Sequence, residues 1–164
     1  MSSRYSHKHN GPGLSYEVCV DTVKDRIVWA NGPFPAASHD ITIFRGGKAK
    51  EKHKWLESSL YHRIPAGKRV VGDSGYVGET DKVSVTLGGH APETKAFFAR
   101  VKSRQETLFG RMKQLKILGG ESFRHKGKQG EGSKGRMAVH RLVFDAIIVT
   151  MQYTIEAGVP LFDV

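Results

Sequence analysis

Two acidic residues have the type and setting for metal-dependent chemistry. Asp73 directly follows the β-branched run 68–72 (KRVVG) and precedes Ser74, Gly75 and Tyr76, which read as a turn. An acid at the C-terminal end of a strand faces the ligand crevice of many α/β sheets. Glu106 comes one position after Gln105, at the edge of an apolar helical stripe. A strand-end acid and a helix acid can share a Mg²⁺ or Mn²⁺ ion, since such ions prefer hard oxygen ligands. Bound at a phosphodiester, such ions activate a water and stabilise the leaving oxygen. Local pattern alone favours a plainer role for Glu106, an i to i+4 ion pair with Lys102 worth ~0.3–0.5 kcal/mol.

Other chemistry-bearing residues weigh less. His7 and His9 lack the helical spacing of a zinc pair. Cys19 is the lone cysteine, which excludes an internal disulfide framework and a cysteine-rich zinc site; it reads as a small residue in an apolar strand. Trp29 and Phe34 read as core or loop anchors rather than base-stacking platforms. Gly72, Gly75 and Gly78 form no nucleotide fingerprint, because no helix follows at the required spacing.

Charge points to a polyanion. The 164 residues carry a formal net charge of +10. Residues 95–141 hold 13 Lys and Arg against 3 Glu, so this one segment carries the whole excess. A basic block beside a neutral body is the electrostatic footprint of a nucleic-acid binder. Arg100, Lys102, Arg104, Arg111, Lys113 and Lys116 are the candidate DNA contacts. No run approaches the ~20 apolar residues of a membrane span, and residues 1–13 lack the apolar middle of a signal peptide. A nuclear or otherwise intracellular, non-secreted protein is expected.

The elements that must position these residues follow from hydropathy and breakers. Residues 1–13 read as a polar lead-in, and 14–164 as one domain. Residues 14–20 (LSYEVCV) alternate apolar and polar, and 26–30 (RIVWA) return as a second strand, so a hairpin is expected. The stretch 31–40 is broken by Gly32, Pro33 and Pro35 and reads as a loop. Ser38 or Asp40 is then expected to cap a short helix through Ile41 and Phe44. Residues 45–54 read as charged and exposed, 55–62 as a short helix, and 83–87 as a strand. From Glu93 the stripe Phe98, Val101, Gln105, Leu108, Met112, Leu115 is spaced 3, 4, 3, 4, 3, one helical face, ended by Gly119-Gly120. Residues 124–136 read as a Gly-rich basic loop, and 137–155 as a core helix. Val18, Val20, Val28, Val70, Val71, Phe98, Val101, Leu108, Ile147 and Ile148 are expected in one core.

Three separated blocks also carry a family resemblance: YSHKHNGPGLSYEVCVDTVKDRIVWANGPFPAASHDITIFR, VVGDSGYVGE and ARVKSRQETLFGRMKQLKIL. In this order, and running from about Tyr5 to the C-terminal LFDV, the chain resembles Harbinger-type DDE transposases. The resemblance implies an RNase H-like mixed α/β sheet flanked by helices, with two Asp and one Glu binding Mg²⁺ or Mn²⁺. It implies that Asp73 is the second acid and Glu106 the third, with 32 residues between them. The His39-Asp40 block matches as well; Asp40 is expected to pack or cap, with metal contact as its alternative role. The family's first Asp lies on a strand upstream of the Lys-His block, in an Asp-Gly-Thr-like segment. Residues 1–6 contain no Asp, and Asp21 and Asp40 match other blocks. The chain therefore reads as partial, lacking its first strand and one ligand. Two functions compete: a DDE endonuclease-like domain acting on DNA, with a separate DNA-binding protein as a candidate partner, and a domesticated non-catalytic DNA- or protein-binding module. A decayed transposon remnant is the third reading.

Overall fold

The structure is a computed structural model that describes residues 5–6, 11–47, 58–117 and 133–162. The fold is mixed α/β. Short strands β1 (Tyr5–Ser6) and β2 (Gly11–Pro12) pair antiparallel, within the stretch expected to be a plain lead-in. Strand β3 (Leu14–Val20) pairs antiparallel with β4 (Ile27–Pro35), the hairpin that the alternation predicts. Asp21 closes its turn, its Oδ1 accepting from the backbone N–H groups of Val23 at 2.8 Å and Lys24 at 2.9 Å.

Strand β4 corrects the sequence reading in two ways. It runs on through Gly32, Pro33 and Pro35, residues whose types predict a loop. The pairing jumps from Ser15–Phe34 to Glu17–Asn31, so Gly32 and Pro33 fall in a bulge, where a proline lacking an N–H does no harm to the ladder. A second irregularity, between Cys19–Trp29 and Val20–Ile27, leaves Val28 without a partner in the ladder. Val28 is 50% exposed and does not join the core.

Helix α1 (Asp40–Arg45) follows. Its N-cap is His39, with no side-chain capping bond, so neither Ser38 nor Asp40 caps it; Asp40 is instead the first helical residue. Gly46 ends the helix in the left-handed region at φ 76°, the conformation that favours glycine. The charged stretch expected at 45–54 lies outside the described residues from 48 onward. Of the helix expected over 55–62, residues 55–57 lie outside them too, and helix α2 begins only at Leu60 (Leu60–Arg63). Strands β5 (Val70–Gly72) and β6 (Val83–Val85) pair in parallel, with a 3₁₀ turn, Ser74–Tyr76, between them.

The long helix α3 (Pro92–Gln114) opens on Pro92, suited to a first turn whose N–H groups have no partner. Gly119-Gly120 lies outside the described residues, and the helix ends before it. Helix α4 (Ser133–Glu156) takes in the last residues of the stretch read as a loop, of which 124–132 lies outside the described residues.

Two apolar clusters form instead of one. Val18, Leu108, Met112, Phe144, Ile147, Met151, Ile155 and Leu161 are buried between the β3–β4 hairpin, α3 and α4, with Val20 and Ile148 packed against them. Phe44, Ile64 and Val83 form the second cluster, joined by Val70 and Tyr76. Phe98 is buried outside both and stacks on His90 at 5.6 Å. The division follows the strands: β3–β4 and β5–β6 are separate two-stranded sheets, with α3 and α4 packed on the first and α1 packed both on β3 and, through Phe44, in the second cluster. Burying one such side chain stabilises by roughly 1.5–3 kcal/mol, so each cluster holds its half of the chain.

Candidate functional site

Asp73 owes its position to the second cluster. Val70 and Val83 are paired across β5 and β6, and the chain leaves the sheet at Gly72. A Cβ at Gly72 would lie 2.8 Å from Val83 Cγ1 and 3.0 Å from Tyr76 Cδ2, so the turn closes only over a glycine. Asp73 then caps the 3₁₀ turn, its Oδ1 accepting from Gly75 N at 2.8 Å. The turn sets the Tyr76 ring edge-on to Phe44 at 5.7 Å. Phe44 lies on α1, which begins at Asp40. The same packing therefore brings Asp40 to Asp73. A Cβ at Gly75 would lie 3.0 Å from both Asp40 Oδ2 and Asp73 Oδ1, so these oxygens are at most 6.0 Å apart. Both carboxylates are exposed at this rim.

A third acid, Glu17, has no signal in the sequence that marks it as a site residue. It is only 6% exposed. Its Oε2 accepts from Trp29 Nε1 at 2.8 Å, and its Oε1 has no partner among the described residues. Burial raises the Glu17 carboxyl to about 7; the Trp29 bond opposes this, and the negative charge of Asp40 adds to it. Tyr76 is held well above its ordinary value, first by burial and then by the charges of Glu17, Asp40, Asp73 and Cys19. Cys19 is pushed up to about 11 by burial and by Glu17 and Asp21, so its thiol stays protonated at neutral pH. Glu17 occupies a polar position in an alternating strand, which reads as solvent-facing. Only the packing of α1 against β3 shows that this face is covered.

Glu106 keeps to its own helix. Its side chain is 67% exposed and pairs with Lys102 Nζ at 3.7 Å, the local ion pair. Its neighbour Gln105 turns inward and donates to Val18 O at 3.4 Å. Among the described residues, no group of three His, Cys, Asp or Glu side chains could hold a metal ion.

The six basic candidates divide. Arg100, Lys102, Lys113 and Lys116 are exposed on or just past α3. Arg104 and Arg111 serve the fold. Arg104 donates to Thr22 O and lies 3.4 Å over the Phe162 ring. Arg111 donates to Val159 O at 2.7 Å and to Pro160 O. These contacts hold the C-terminal segment whose Leu161 completes the first cluster. Arg111→Ala is expected to cost about 1 kcal/mol, roughly 2–4 °C in Tm for a domain of this size, measured by thermal denaturation. Arg124, Lys126, Lys128, His7 and His9 lie outside the described residues. Trp29, half-buried in β4, donates from its indole to Glu17.

Among the described residues no helix is long and apolar enough to cross a membrane. No family model, no curated protein and no solved structure matches the chain.

Proposed function

We propose that the chain is a transposase-derived, DDE endonuclease-like domain that binds DNA in the nucleus and, on its own, does not cut it. The observation that carries this reading is the meeting of Asp73 and Asp40 at the C-terminal end of a parallel strand, the place where α/β sheets present ligands. The three sequence blocks that resemble Harbinger-type enzymes supply the reaction class. The mixed α/β fold, with an antiparallel hairpin and a parallel strand pair, is compatible with an RNase H-like arrangement.

Hard carboxylate oxygens at Asp40 and Asp73 suit Mg²⁺ or Mn²⁺. Such an ion, when bound, supplies activation of a water or 3′-hydroxyl and charge neutralisation at the scissile phosphate. The protein's own part is to hold Asp73 by its bond to Gly75 N, to set Asp40 by the packing of Phe44, and to attract DNA with Arg100, Lys113 and Lys116. The resemblance makes Glu106 the third acid, which on this reading must exchange Lys102 for the metal. A separate DNA-binding protein would supply target choice.

The second reading is a non-catalytic DNA-binding module. It is favoured by the lack, among the described residues, of a ready three-carboxylate group. Both readings predict salt-sensitive DNA binding with little sequence preference. Fluorescence anisotropy on duplex DNA should show affinity falling steeply from low to physiological salt. A Lys→Glu change at Lys113 or Lys116 should weaken all duplexes alike, and each should reduce the salt slope by roughly one, as one phosphate fewer is neutralised. No binding at low salt would sink both. A plasmid-nicking assay separates them from a complete enzyme: Mg²⁺-dependent nicking abolished by Glu106→Ala would overturn the claim that this chain alone does not cut.

A further inference from the structure

We propose that residues 157–162 form an autoinhibitory strap, lying over a cationic face of α3 that takes the phosphates of a nucleic acid once it is uncovered. The proposal rests on the reading of the chain as a DNA binder and adds a control on that same surface.

Helical spacing builds the face. Arg100, Arg104 and Arg111 are spaced 4 and 7, so they fall in one line along α3. Each directly precedes Val101, Gln105 or Met112 of the inward stripe, so the line follows the edge of the packed side. Arg100 is exposed, and Arg104 and Arg111 are half-buried. Three guanidiniums along roughly 16 Å of helix suit a phosphodiester chain, whose oxygens match their forked donors.

The strap covers two of the three. It leaves α4 at Gly158, whose φ of 96° favours glycine. Arg111 donates through Nη1 to Val159 O at 2.7 Å and through Nη2 to Pro160 O, the two-pronged grip a guanidinium makes on a phosphate. Arg104 lies 3.4 Å over the Phe162 ring and donates to Thr22 O. All these partners are neutral. Among the described residues neither arginine forms an ion pair. Bonds to ionised acceptors are the stronger kind, so a phosphate competes well for both side chains.

The strap's own hold is narrow. Within 157–162 only Leu161 is buried, and its N–H donates to Asp25 Oδ2 at 2.6 Å. Residues 157–160 are exposed. Segments with few buried apolar contacts open at lower cost than the whole fold. DNA that engages only the open form draws the population toward it.

Two variants lift the strap without touching an arginine. Leu161→Ser removes the anchor. Gly158→Val puts a β-branched residue into the left-handed region, where nothing lies within 4 Å of the added Cβ, so it disturbs the backbone alone. Circular dichroism and a urea midpoint show that each is folded. In fluorescence anisotropy on duplex DNA with the full chain, each should bind at least about tenfold tighter than the parent at about 50 mM salt. The slope of log affinity against log salt should steepen by roughly two, one for each arginine released. Adding Arg104→Gln and Arg111→Gln to Gly158→Val should return the slope to that of the parent. If the parent binds and both strap variants keep its affinity and slope, the inference falls and the DNA-binding reading stands. A gain that survives replacement of both arginines overturns the inference as well. If neither parent nor variants bind at low salt, the inference and the DNA-binding reading fall together.

Discussion

Replacing Phe144 by alanine is expected to lower the unfolding free energy by about 4 kcal/mol, within the usual range for a large aromatic truncated in a core. Phe144 is 1% exposed and lies at the centre of the first cluster. Its ring stacks on Tyr16 of β3 with centroids 3.7 Å apart. Tyr16 in turn meets His140 Nδ1 at 2.6 Å. Truncation at Phe144 thus opens a void and loosens a polar contact that ties β3 to α4. Against a total stability on the order of 5–15 kcal/mol, the loss is between about a quarter and four fifths of the whole. Urea denaturation followed by circular dichroism measures it. A loss below about 1 kcal/mol would mean that α4 does not pack on the hairpin, since that cost belongs to a surface site.

The second large effect concerns pH. Glu17 in the folded protein ionises at about 7 against an ordinary value of 4.5. The folded state therefore holds its proton more tightly than the unfolded state does. The sign follows from linkage: stability is fully present below pH 4.5 and is lost as pH rises through 7. The full loss above that window is about 3 kcal/mol, taking ~1.36 kcal/mol per tenfold change in proton affinity. The negative charge of Asp40 adds to the effect of burial on Glu17. Cys19 stays neutral over this range, because its thiol is raised to about 11, and Tyr76 is raised as well. Asp73 is the other acid at this rim. Metal-free Glu17→Gln should therefore be about 2–3 kcal/mol more stable than the parent at pH 8 and nearly equal to it at pH 4. Melting curves across this range decide it; parallel pH profiles for the two proteins would show that Glu17 ionises in the folded state as it does in the unfolded one, and would overturn the prediction.

What the sequence determined by itself is the set of features that neighbouring residues decide. Alternation in 14–20 is enough to make β3, because its period is two. The 3, 4, 3, 4, 3 stripe is enough to make α3 and to bury Leu108 and Met112, because successive apolar residues fall on one helical face. Asp73 at the end of a β-branched run, and the Lys102–Glu106 pair one turn apart, are local in the same sense. The tertiary structure decided which faces are covered. Periodicity marks Glu17 as the polar side of a strand, but α1 packs on β3 and makes that side interior. Val28 has the residue type of a core strand, yet the bulge beside it leaves it at the surface. Gly32 and Pro33 look like a strand's end and instead sit in a bulge within it. Arg104 and Arg111 look like the rest of a basic helix until the hairpin turn accepts from Arg104 at Thr22 and the C-terminal segment accepts from Arg111 at Val159. In each case the partner lies outside the local pattern, from the facing strand of the hairpin to the C-terminal segment. Burial depends on that partner, and no local pattern carries it.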